Sequence, residues 1–146
     1  MKKIIVGLLG CEKSGRTTAA KIFAKNGFRR ASINKKVEEF ASHLFSEEEM
    51  SKNKNVILNR IRQRGASVNK EYWLNLVLIS VTDKTDYIVF DDISLEETSN
   101  SKIVVFQIYR PDVSSDRLDD VETIENDGTL KDFTKKIEDL SRRLIS

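Results

Sequence analysis

The chain has 146 residues, of which 39% are hydrophobic and 33% charged, enough for one polar domain (residues 1–146) with a real core. No apolar run approaches the roughly 20 residues that cross a bilayer, which argues against a membrane partner. The formal net charge of +2 hides an asymmetry: residues 1–85 carry 17 Lys and Arg against 8 Asp and Glu, and residues 86–146 carry 8 against 15. A basic N-terminal part suits the phosphates of a nucleotide. Nucleic acid is not the expected partner, because no stripe of interleaved aromatic and basic residues is present. Cys11 stands alone in the sequence, so no internal disulfide forms, in keeping with a reducing compartment.

The first predicted element is a strand over Ile4-Ile5-Val6-Gly7-Leu8-Leu9. After Met1-Lys2-Lys3 it superficially resembles a signal sequence, but it ends in a glycine loop and not in a cleavage site. It reads as the first strand of a cytoplasmic protein. The loop, Gly10-Cys11-Glu12-Lys13-Ser14-Gly15-Arg16-Thr17, fits the phosphate-loop pattern G-x-x-x-x-G-K-[ST] except that Arg16 replaces the lysine. Gly10 and Gly15 let the backbone curl until successive N–H groups share one hollow, which opens onto a helix N-terminus that favours phosphate. Thr17 offers a hydroxyl to Mg²⁺, and the residue before it reaches the β- and γ-phosphates of ATP. Arg16 keeps the charge as a longer planar fork, and Lys13 offers an ammonium from within the loop. A plain glycine turn between strand and helix is the alternative reading.

A helix follows to about Gly27, then a short strand over residues 28–33. Asn34 is the expected cap of a second helix carrying Val37, Phe40, Ala41, Leu44 and Phe45. His43 reads as a helix-surface residue. Ser46-Glu47-Glu48-Glu49 opens another helix, broken by Lys52-Asn53-Lys54-Asn55. From 56 to 64 a helix places Leu58 and Ile61 on one side and Arg60, Gln63 and Arg64 on the other. That trio is either a solvated face or a substrate-binding face, with guanidiniums for a phosphate and an amide for a base edge. Residues 70–81, with Trp73, are apolar nearly all round and read as a buried helix. A strand over 86–92 ends in Asp91 and Asp92, where an acid either assists Mg²⁺ or caps the next element. Strands over 102–109 and 121–124 and a closing amphipathic helix complete the chain. Five strands alternating with helices predict a three-layer α/β/α phosphate-loop NTPase fold with a mostly parallel sheet. Arg110, at the end of the fourth strand, lies where ligands of such sheets bind, or else pairs with a nearby acid.

Together these pieces resemble the deoxynucleoside monophosphate kinases, phosphate-loop enzymes of tailed phages and bacteria. The likeness rests on Lys13-Ser14-Gly15-Arg16-Thr17-Thr18, on Gly27-Phe28 followed by Lys35-Lys36, and on Arg60, Gln63 and Gly65 ahead of Trp73. Ile88-Val89-Phe90-Asp91-Asp92 and Asn126-Asp127-Gly128-Thr129-Leu130 extend it. The resemblance implies transfer of the ATP γ-phosphoryl group to a deoxynucleoside 5′-monophosphate. Gly10, Lys13, Ser14, Gly15, Arg16, Thr17 and Thr18 would hold the donor, and Thr17 and Asp91 would manage Mg²⁺. Lys13, Arg16, Asp91 and Arg110 would serve catalysis, while Arg60, Gln63 and Arg64 would bind the acceptor. The chain departs from the pattern at Arg16, at Asp92-Ile93-Ser94 where an arginine is expected, and in a connection after Tyr109 too short for a large lid. These departures point to a second reading, a nucleotide-binding module with an assembly or regulatory role and little catalysis. The sequence leaves a homo-oligomer open.

Overall fold

The computed structural model describes residues 3–81, 85–98, 102–113 and 116–146. Among these, five strands form one sheet: β1 (Ile4–Leu9), β2 (Arg29–Ala31), β3 (Tyr87–Phe90), β4 (Ile103–Tyr109) and β5 (Glu122–Glu125). Their order is β2-β3-β1-β4-β5, and every neighbouring pair is parallel. The helices are α1 (Arg16–Lys25), α2 (Ile33–Ser42), α3 (Glu47–Val68), α4 (Tyr72–Val81) and α5 (Leu130–Ile145). The expected three-layer α/β/α architecture is present.

Strand alternation explains the two cores. In β1, Ile4, Val6 and Leu8 pack with Ala19, Ala20 and Phe23 of α1 and with Phe133, Ile137 and Leu140 of α5. Ile5 and Leu9 face the other way, toward Val37 of α2 and Trp73, Leu74 and Val77 of α4. A strand covered on both faces has to be apolar throughout, and every residue of β1 is buried. From β1 the chain crosses to the β2–β3 side, and from β3 it crosses back to β4, so β1 lies where the winding reverses. Loops at the carboxyl ends of strands around such a point form the natural ligand crevice.

Three local expectations are corrected and one, the break in α3, is borne out. β2 covers only Arg29–Ala31 of the expected 28–33. The cap of α2 is Ser32, whose side chain accepts from the Lys35 N–H at 3.2 Å, and not Asn34. The break expected at residues 52–55 is present: Asn53 takes non-helical angles (φ −131°, ψ 25°), so α3 is two helical stretches meeting at a kink, the first secured by the Ser46–Glu49 capping box and the second docked through Leu58 and Ile61. Finally, α4 is buried on one face only. Trp73, Leu74, Val77 and Val81 point inward while Ile79 is exposed, since the helix has the sheet and α2 on one side and little on the other. No described helix is long and apolar enough to cross a membrane.

Phe23 tests the α1 side of the core. It is fully buried, with its ring edge-on to Phe28 at 5.0 Å between centroids. Phe23→Ala is expected to cost about 3–5 kcal/mol, read as a lower urea midpoint at unchanged m-value. A loss below about 1 kcal/mol would contradict this packing.

Candidate functional site

The loop at residues 10–17 leaves the central strand and turns straight into α1. Three of its residues adopt positive φ: Gly10 at 151°, Lys13 at 67° and Gly15 at 115°. At both glycines a Cβ has no room. On Gly10 it would lie 2.6 Å from Ser14 Oγ and 2.7 Å from the Ile108 carbonyl; on Gly15, 2.7 Å from Asn126 Nδ2. Lys13 accepts a left-handed conformation that costs a residue with a side chain roughly 1–2 kcal/mol. The strain places successive amides on one concave surface.

Those amides are left open. Gly15 caps α1 without a side chain to offer, and the first bond into the helix is Ala19 N–H to the Gly15 carbonyl at 2.9 Å. The N–H groups of Lys13, Gly15, Arg16, Thr17 and Thr18 find no acceptor among the described residues. Beneath them the buried Ser14 hydroxyl also lacks a partner. The loop is braced from 112 residues away, where Asn126 donates from Nδ2 to the Ser14 carbonyl at 2.9 Å and from its backbone N–H to the Tyr109 carbonyl at 2.7 Å. Sequence reasoning saw the Asn126-Asp127-Gly128 turn but not this brace.

The loop walls a cavity of ≈ 630 Å³, completed by Arg110, Asn126, Gly128, Leu130 and Phe133. Lys13, Arg16, Thr17 and Thr18 line it as expected. Neither Lys13 nor Arg16 has an ion-pair partner among the described residues, so the cavity presents positive charge over open amides. Arg110 lines the cavity and also pairs through Nε with Asp112 Oδ2 at 3.5 Å. Arg117 is held elsewhere, paired with Glu125 and stacked over the Tyr109 ring.

The two acids after β3 part company because successive strand residues face opposite ways. Asp91 shares the α1 face with Val89 and is bound by Arg30 of the neighbouring strand, Nη2 to Oδ2 at 2.7 Å. Asp92 turns to the α2 face. Its carboxylate accepts from the Ser32 hydroxyl at 2.6 Å and from the Ile33 and Asn34 N–H groups at 3.0 and 2.9 Å. It therefore caps α2, an earlier element and not the next one.

The structure does not gather Arg60, Gln63 and Arg64 into one site. Gln63 lines a cavity of ≈ 420 Å³ with Asn59, Arg62, Lys70, Ser94 and Glu97. Arg64 lies in an apolar groove with Phe40, Leu44 and Trp73, and Arg60 is exposed between the two. Consecutive helix positions lie about 100° apart, enough for Gln63 and Arg64 to line different cavities. The most firmly held cation beside the Gln63 cavity, which sequence reasoning missed, is Arg62. It donates to Asn34 Oδ1 at 2.7 Å, to the Asp92 carbonyl at 2.7 Å and to the buried Glu97 carboxylate at 2.5 Å. Glu97 also accepts from Ser94 N–H and Oγ, both at 2.9 Å. The signal was present: Arg62 stands four residues after Leu58, a charge at the margin of the apolar stripe.

Arg62→Ala strands the Glu97 carboxylate with one partner fewer in a buried setting. It is expected to destabilise the fold by about 3 kcal/mol in urea denaturation, and Arg62→Met with Glu97→Leu should recover part of that loss. A single-variant cost under about 0.5 kcal/mol, the range of an ordinary surface change, would reject the network.

No family model matches the chain, and no curated protein matches it significantly. Among solved structures it is similar to the crystal structure of TT1252 from Thermus thermophilus, with a TM-score of 0.60 and 13% sequence identity over 99% of each chain. At that identity the likeness is one of fold, shared along the whole length of both chains.

Proposed function

We propose that the protein binds ATP in the 10–17 loop and, as its resemblance to deoxynucleoside monophosphate kinases implies, transfers the γ-phosphoryl group to a (deoxy)nucleoside 5′-monophosphate. The observation that carries the binding step is the set of amides of Lys13, Gly15, Arg16, Thr17 and Thr18, which have no acceptor among the described residues, beside Lys13 and Arg16, two cations with no ion-pair partner among those residues. Such a concave donor surface at a helix N-terminus suits a polyphosphate and little else. The cavity is large enough for more than phosphate, and Leu130 and the Phe133 ring edge offer apolar surface to a base. The acceptor is best served by the second cavity, where Gln63 and Lys70 stand beside the fixed Arg62 guanidinium. Arg60 and Arg64 take no part in it.

A second reading, a nucleotide-gated module with little turnover, draws support from the substitution at Arg16. A guanidinium fork grips phosphate oxygens in a fixed geometry but is poorly suited to follow a transferring group.

Millimolar ATP should raise the melting temperature of the unaltered chain, because a ligand that binds only the folded state stabilises it by mass action. Gly15→Val should abolish the shift. An unmoved melting curve in the unaltered chain would end the phosphate-loop reading.

Incubation with labelled ATP and each deoxynucleoside monophosphate, resolved for diphosphate, separates transfer from mere binding. In a kinase, Arg16→Lys should raise turnover about tenfold or more. In a binding module it should leave turnover at background and weaken ATP affinity.

A further inference from the structure

We propose that the loop takes its nucleoside di- or triphosphate as the free polyanion, with no divalent cation required, because Arg30 already occupies the carboxylate that would hold one. The inference rests on the ATP-binding reading and concerns the form in which the nucleotide is bound. Magnesium in nucleotide sites is held by substrate phosphates and waters together with one or two carboxylates. In this fold the expected carboxylate stands just past the end of β3, next to the strand that feeds the loop. The last paired position is Gly7 opposite Phe90, so Asp91 is the first residue beyond the ladder.

Each oxygen donor at this end of the sheet can be followed. The Asp91 side chain is only 10% exposed and lies 2.7 Å from the Arg30 guanidinium. A dication approaching it would meet a fixed positive charge in a partly desolvated place, where like charges repel more strongly than in water. Asp92 faces the opposite side of the sheet, and three hydrogen bonds at the start of α2 engage its carboxylate. Glu12 is the one carboxylate among the residues lining the loop cavity, exposed and next to Lys13. Among the described residues lining the cavity, Thr17 has no carboxylate other than that of Glu12. The residues present therefore do not fit the magnesium site that the resemblance implies for Thr17 and Asp91.

They do fit a bare polyphosphate. Lys13 and Arg16 bring two positive charges from the loop itself, and the open amides add partial charge at the helix N-terminus. A guanidinium at position 16 takes two phosphate oxygens at once, which suits direct contact with an anion not wrapped by a metal.

The test is calorimetric titration of the full chain with ATP, once in excess Mg²⁺ and once in excess EDTA. The two dissociation constants should lie within about threefold of each other. Arg30→Gln, which releases Asp91 at a half-exposed position, should make Mg²⁺ tighten ATP binding by about tenfold or more, with a melting curve confirming that the variant is folded. Tightening of about tenfold or more by Mg²⁺ in the unaltered chain would overturn the proposal. A folded Arg30→Gln variant still indifferent to Mg²⁺ would overturn the role given to Arg30. Absence of binding in both buffers is a different result: it removes the ATP-binding reading itself. Should the variant fail to fold, the comparison on the unaltered chain decides alone.

Discussion

Everything at the carboxyl end of the central strand depends on a set of backbone donors that have no acceptor among the described residues. Buried or half-buried amides normally find an acceptor, and a helix N-terminus normally has a capping side chain. Elsewhere the chain follows that rule closely. Ser46 with Glu49 and Thr129 with Asp132 form reciprocal capping boxes, and Ser32 with Asp92 caps α2. At α1 alone the capping position is a glycine, and it is held in a conformation that excludes a side chain. The exception is therefore built by the same sequence that observes the rule, and it lies at the end of the most buried strand. Its shape is maintained from a distance. Asn126 ties down the Ser14 carbonyl and Phe133 packs beneath Gly15, so the last third of the chain serves as the floor of a loop made by the first sixteen residues.

The second organising contact is Arg62. The helix that carries it, α3, has no fully buried residue, although it is the longest of the described helices. Half-buried Leu58 and Ile61 and the close approach of Gly65 to Trp73 supply its apolar contact. Its polar ties run chiefly through Arg62, which reaches the start of α2, the end of β3 and the 3-10 turn at Glu96–Thr98, with Lys54 also paired to Glu38 of α2 at 3.0 Å. Trp73 adds a further tie, donating from its indole nitrogen to the Arg62 carbonyl at 3.0 Å. An element with little buried apolar surface opens at a lower free energy than the core. The helix bordering the second cavity is thus attached mainly by groups that a charged ligand would also address.

The sheet was largely legible because a parallel strand buried on both faces reads as an unbroken apolar run, and those of β1, β3 and β4 are short and sharply bounded. The loop was legible because glycine spacing carries a backbone requirement that no other residue meets. Most of the misreadings share one cause: they needed a partner from elsewhere in the chain. Asn34 seemed the cap of α2 until the carboxylate of Asp92, 58 residues on, was seen to satisfy that end together with Ser32. Arg60, Gln63 and Arg64 share a polar arc on a helical wheel, but a wheel does not say that a cavity lies on one flank and an apolar groove on the other. The pairing of Asp91 with Arg30 was not legible because Arg30 stands on a strand that meets β3 only in the folded sheet. Ile79 has a different cause: an apolar helix reads as surrounded, and this one has neighbours on only one side.

Arg16 and the Arg30–Asp91 pair gain meaning when taken together. In a phosphate-transferring site the mobile charges are a flexible lysine ammonium and a metal ion, both able to follow the phosphoryl group as its charge redistributes. In the proposed nucleotide site a planar guanidinium stands in place of the first, and Asp91, the carboxylate that the resemblance would give to the second, is paired with the Arg30 guanidinium. Both changes replace adjustable positive charge with charge fixed in direction and distance. Fixed charge holds the ground state of a polyphosphate well, but only interactions that strengthen in the transition state accelerate transfer. Affinity for nucleotide and competence to move its terminal phosphate are therefore separable properties of this loop. The residues that favour the first are the ones that leave the second in question.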